Sequence, residues 1–127
     1  MTLYNPSNDS GALLSRLREN HHWVVVCYCA AWCDTCASYL PAFAGLAARR
    51  SDDVFVWVDI EDHEALLDDH DIENFPTLLI QGAKGNVFYG PLLPHIHQLE
   101  QLLGALGAHS PVVAQGPGAL GDLLAAC

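Results

Sequence analysis

Seven consecutive uncharged residues, Trp23-Val24-Val25-Val26-Cys27-Tyr28-Cys29, are rich in β-branched and aromatic side chains. Such a run is expected for a strand buried on both faces of a sheet. After Ala30 and Ala31, the segment Trp32-Cys33-Asp34-Thr35-Cys36 opens a stretch of strong helix character carrying Ala37, Leu40, Ala42, Phe43, Ala44, Leu46, Ala47 and Ala48. Arg49 and Arg50 close it, as cations suited to a helix C-terminus. Pro41 inside this stretch removes one backbone donor and predicts a kink. The chain therefore sets two thiols where a buried strand gives way to a helix.

The rest is organised around that unit. Asn8, Asp9 or Ser10 caps a first helix with Leu13, Leu14 and Leu17 as its apolar stripe, ending before His21 and His22. Val54 to Ile60 reads as a second buried strand, and Asp62 to His70 as a short helix turning Leu66 and Leu67 inward. Phe75-Pro76-Thr77 leads into the strand Leu78-Leu79-Ile80, and the turn at Lys84-Gly85-Asn86 returns the chain through Val87-Phe88-Tyr89 as a hairpin. Pro94 starts a last helix with Ile96, Leu99, Leu102, Leu103 and Leu106 in helical spacing. One folded unit over residues 1–108 is expected, followed by a tail, 109–127, whose glycines and prolines give no sustained period and which has room for a short helix over Leu120 to Ala126.

At 127 residues the chain fits one domain large enough to need no disulfide staples. Fifteen acidic against five basic residues give a formal charge of −10, which repels nucleic acid and anionic membranes. The apolar runs are too short to span a bilayer. The acids from Asp59 through Glu61, Asp62, Glu64, Asp68, Asp69 and Asp71 to Glu73 are interleaved with apolar positions and read as exposed faces of ordinary secondary structure. Met1 to Gly11 lacks the basic and apolar regions of a secretory leader. The expectation is a cytoplasmic monomer, although a periplasmic domain trimmed of its leader would look the same.

Two thiols separated by two residues at a helix start can close a small disulfide ring. The unpaired N–H groups and positive dipole end there favour an anion at the first sulfur. Cys33, at the boundary, is assigned as attacking thiolate, and Cys36, one turn inside, as the thiol that resolves a mixed disulfide. The same spacing makes half of many zinc sites, but no second C-x-x-C or suitably spaced Cys/His pair follows, so no metal is assigned. Cys27 and Cys29 share a strand face and are read as small core hydrophobes, with a metal cluster or an auxiliary redox pair as the alternative. Cys127 is read as a free thiol. His95 and His97 do not fall on one helical face.

These features together resemble the thioredoxin family, from about Trp23 to Leu106. The likeness rests on the strand before Ala30-Ala31, the Trp32-Cys33-Asp34-Thr35-Cys36 segment, Pro41 five residues after the second cysteine, and Phe75-Pro76-Thr77 before a strand and hairpin. It implies an α/β thioredoxin-like fold with a central mixed β-sheet flanked by helices, and a thiol–disulfide oxidoreductase exchanging disulfides with client proteins. It further implies a cis peptide bond at Pro76, a client-binding surface formed by Trp32, Asp34, Thr35, Phe75 and Pro76, a redox-active Cys33–Cys36 disulfide without bound cofactor, and an external thiol reductase as partner. Two other readings remain: a thioredoxin-fold binding module with a non-catalytic or metal-filled cysteine pair, and an oxidase or isomerase of an oxidising compartment.

Two departures stand out. Asp34 and Thr35 replace the family's glycine and proline, and a carboxylate beside Cys33 opposes the thiolate. The family's buried aspartate aligns with Cys27 and its lysine partner with Trp57, so both members of that proton-handling pair are missing. A slower resolving step is therefore expected. Asp59 is the nearest substitute base, set against the plainer reading that it bonds locally at the strand end.

Overall fold

Alternation along each strand sorts the apolar side chains onto two faces of one sheet, and each face is covered by its own helices. The computed structural model describes residues 3–19, 21–30, 32–67, 70, 72, 74–107 and 110–126. In chain order the elements are β1 (Leu3–Tyr4), α1 (Pro6–Arg18), β2 (Val24–Cys29), α2 (Asp34–Arg49), β3 (Val54–Asp59), a 3-10 turn (Glu64–Leu67), β4 (Thr77–Gly82), β5 (Gly85–Pro91), α3 (Ile96–Ala105) and α4 (Leu120–Ala126). The strands lie in the order β1-β3-β2-β4-β5. β1 and β2 run parallel to β3, while β4 pairs antiparallel with both β2 and β5. This is the mixed sheet flanked by helices expected from the sequence.

Val25, Cys27 and Cys29 of β2 share one core with Phe55, Leu78 and Ile80, with Tyr39, Phe43 and Leu46 of α2, and with Leu99 and Leu103 of α3. Val24, Val26 and Tyr28 point the other way, into a core with Val56, Leu79, Leu13 of α1, Leu66, and Leu120 and Leu124 of α4. The thiols at 27 and 29 thus face α2, the helix that carries the other two.

Three local details differ from the sequence expectations. The cap of α1 is Asn5, whose Oδ1 accepts from Ser7 N at 3.0 Å, while Asp9 leaves helical geometry inside the helix. The Asp9 carboxylate instead accepts from Asn5 N at 3.0 Å. α2 continues as one helix through Pro41; Ala37 and Pro41 both lie exposed, where the carbonyl left without a donor is open to water. Of the short helix expected over Asp62 to His70, the described residues form a 3-10 turn, Glu64–Leu67.

The tail carries the helix α4, docked with Leu120 and Leu124 buried. Of the positions singled out above, Ala31, Asp68, Asp69, Asp71, Glu73 and Cys127 lie outside the described residues. No helix among the described residues is long and apolar enough to cross a membrane.

Candidate functional site

β2 ends at Cys29, and a tight turn delivers the chain to α2, with the Cys33 N–H donating to the Ala30 carbonyl at 3.0 Å. Cys33 is the N-cap of α2 in extended geometry, and its carbonyl accepts from Ala37 N at 3.1 Å. No side chain caps this helix end, so the positive end of the backbone dipoles is presented to the Cys33 sulfur. Cys33 is half-buried and free, whereas Cys36, one turn on, is 1% exposed.

The sulfur pairing differs from the one expected. Cys36 is bonded to Cys29, at a Cα–Cα separation of 5.8 Å, and Cys33 stands unbonded. The assigned Cys33–Cys36 disulfide is therefore corrected in this state, as is the reading of Cys29 as a passive core residue. The cause is the face on which Cys29 lies. It ends β2 pointing at the first turn of α2, which brings its Cα within the range a disulfide spans. Period-two alternation gave the face, but the distance across the β2–α2 turn is tertiary and has no signature in the spacing of the cysteines.

Cys27 lies one strand step below. Its sulfur is 3.9 Å from that of Cys29, and burial pushes its thiol far up, so it stays protonated. Cys27 stands opposite Trp57 in the β2–β3 register, so the two positions that would carry the aspartate–lysine pair are neighbours here and hold a thiol and an indole. The Trp57 ring packs on Phe43 at 5.8 Å between centroids. Tyr39, one turn beyond Cys36, is pushed up first by burial and then by proximity to Cys27, and its hydroxyl has no hydrogen-bond partner among the described residues. Asp59 Oδ1 accepts from Glu61 N at 2.9 Å, a local bond at the end of β3.

Above the sulfurs, Trp32 is 67% exposed and meets Phe75 edge-on, with centroids 5.6 Å apart. The Trp32 indole N–H donates to the Glu61 carboxylate, a contact that sequence reading missed because the partners are far apart in the chain. The Phe75–Pro76 bond is cis, and Pro76 is buried at the start of β4 beside half-buried Phe75. Asp34 and Thr35 are exposed in the first turn of α2. Thr77 is held by its hydroxyl donating to the Asn74 carbonyl at 2.6 Å. The structure thus brings Trp32 and Phe75 into contact and sets Asp34 and Thr35 at the solvent edge. A groove of about 650 Å³, with Trp23, Lys84 and Leu103 among its walls, lies at the other end of the sheet and does not touch the cysteines.

The sequence profile of the Thioredoxin family matches residues 9–92. Thioredoxin H3 of Arabidopsis thaliana is 26% identical over 103 residues, spanning 80% of this chain and 82% of that one. Thioredoxin H5 of Oryza sativa subsp. japonica is 29% identical over 79 residues, spanning 62% of this chain and 58% of that one, less than two thirds of its length. Among solved structures, a thioredoxin of Schistosoma mansoni matches with a TM-score of 0.67 at 24% identity, over 84% of this chain and 96% of that one. At that identity the likeness is one of fold.

Proposed function

The chain belongs to the thioredoxin family, and from that premise we propose that it is a protein thiol–disulfide oxidoreductase in which Cys33 attacks and Cys36 resolves. The observation that carries this reading is a free, half-buried Cys33 at the uncapped start of α2, with buried Cys36 one turn deeper. The Cys33 thiolate attacks a client disulfide, forming a Cys33–client bond and expelling one client sulfur, which takes up a proton. Cys36 then gives up its proton and attacks the Cys33 sulfur. The second client sulfur leaves, and the client is reduced by two electrons while the protein is oxidised by two.

The exposed Trp32 ring, braced on Phe75, supplies the apolar surface for a client segment running beside Pro76, with Asp34 and Thr35 at its edge. An external thiol reductase returns the pair to the reduced state, and the chemistry requires no bound cofactor. Residues 1–108 form the unit that does this, with 109–127 appended to it.

The test is dithiothreitol-driven reduction of an insulin-type disulfide by the full chain. Cys33→Ser loses turnover. Cys36→Ser loses turnover and accumulates a client adduct on Cys33 that dithiothreitol removes. Full turnover by Cys33→Ser overturns the proposal.

A further inference from the structure

We propose that Cys29 is a third catalytic thiol, which takes Cys36 over from Cys33 so that the oxidised protein holds its disulfide inside the core and presents a free Cys33 at its surface. The proposal rests on the Cys33/Cys36 reading and extends it. Cys36 has two neighbours able to reach it. Cys33 is the extended N-cap three residues earlier, the placement from which a C-x-x-C pair at a helix start closes a small disulfide ring. Cys29 lies at a Cα–Cα distance of 5.8 Å and is bonded to it. The two partners differ in environment, because Cys29 is fully buried and Cys33 is half-exposed. Cys27 is set apart by geometry: it lies two residues earlier in β2 and stays free while Cys29 is bonded to Cys36, with its sulfur 3.9 Å from that of Cys29 as a packing and S–H partner.

The step balances without any further oxidant. Once a client has left the protein with a Cys33–Cys36 bond, Cys29 loses its proton and attacks the Cys36 sulfur. The Cys29–Cys36 bond forms, the Cys33–Cys36 bond breaks, and Cys33 departs as a thiolate able to accept the proton that Cys29 released. The protein carries one disulfide before and after. The disulfide has moved from a pair with one accessible sulfur to a pair with at most 1% exposure on either residue. An external thiol then has no sulfur of the disulfide to attack. It regains access only when Cys33 attacks Cys36 again and reverses the exchange. The oxidised protein also keeps a nucleophile beside the Trp32–Phe75 surface, which lets it form a mixed disulfide with a second client.

The experiment oxidises the full chain with a stoichiometric insulin-type disulfide, quenches in acid, alkylates the unfolded protein and maps labels and cross-linked peptides by mass spectrometry. In the unmodified protein Cys33 carries the label and Cys29 is linked to Cys36. In Cys29→Ser, and in Cys29→Val, which keeps the site apolar, Cys33 loses the label and is linked to Cys36. Both oxidised variants are re-reduced by dithiothreitol several-fold faster than the unmodified protein. A Cys33–Cys36 link with labelled Cys29 in the unmodified protein overturns the proposal, and so does re-reduction at one common rate. If Cys33→Ser abolishes turnover while these readouts fail, this inference falls alone; if Cys33→Ser keeps turnover, the parent reading falls with it.

Discussion

Cys27 sits where a chain of this family carries a carboxylate, and the exchange of acid for thiol has a consequence for stability against pH. Burial raises the folded thiol far above its ordinary value of 9.0. In the unfolded chain the same thiol ionises near that value, so above it the unfolded state binds fewer protons than the folded one, and stability falls as pH rises. The contribution is fully present below about pH 9 and declines at about 1.4 kcal/mol per pH unit above it. Tyr39 and Tyr89, both raised by burial from 10.0, add to the decline only at higher pH. Urea unfolding under excess reductant, which holds every cysteine as a thiol and so prevents scrambling, isolates Cys27 by difference. The Cys27→Ala variant is the less stable form near neutral pH, because it leaves a small cavity, and the gap narrows from about pH 9 upward. A constant gap would show that Cys27 ionises as readily in the core as in water.

Among the elements, the tail is held by a polar network as well as by the buried Leu120 and Leu124. Gln81, near the end of β4, donates to Asn86 Oδ1 at 2.9 Å and to the Gly118 carbonyl at 2.8 Å, and its Oε1 accepts from Leu120 N at 3.0 Å. Asn86 donates on to the Gln115 and Pro117 carbonyls at 3.1 and 2.8 Å. Between them Gly116 adopts φ +99° and comes so close to the Tyr89 ring that a Cβ there would collide with it. Gln81→Leu leaves several part-buried groups unpaired, with an expected cost of about 2–4 kcal/mol. In hydrogen exchange it should unprotect the amides of 111–126 first and leave β2 and α2 protected, with Cys33 reactivity unchanged. Uniform loss of protection would instead make the tail part of the central cooperative unit. These bonds were invisible in the sequence, because Gln81 and Asn86 reach partners some thirty or more residues away and no periodicity marks them. What was legible was periodic or punctuated: the uncharged run of β2, the Leu stripes of α1 and α3, the turn between β4 and β5, and the boundary that places Cys33 at a helix start. β1, two residues long, gives no pattern to read, and Cys29 gave its face but not its reach.

The whole molecule is polarised along the strand axis. Its site end holds Asp34, Asp59, Glu61 and Asp62, all near the C-terminal ends of β2 and β3 or the start of α2. Its five cations lie at the other end: Arg16 and Arg18 in the last turn of α1, Arg49 and Arg50 at the end of α2, and Lys84 in the β4–β5 turn. α2 alone, at 16 residues, puts about 24 Å between its first turn and Arg49, more than two Debye lengths in 0.1 M salt. Much of the positive charge is also matched locally, since Arg50 pairs with Asp53 at 2.6 Å and Arg49 with Glu100 at 3.6 Å. Cys33 therefore works in a field set by the nearby acids and by the net charge of −10. A cationic small disulfide such as cystamine should react with reduced protein more slowly as salt is added, while a dicarboxylate aryl disulfide should react faster. The two reagents differ in intrinsic reactivity, so the sign of each salt slope is the readout rather than the rates themselves. Asp34→Asn should shrink both slopes without reversing them, because Asp59, Glu61 and Asp62 remain. Slopes of the same sign for both reagents would mean that the acidic end of the molecule does not reach the Cys33 sulfur, and that shape alone governs which disulfides it meets.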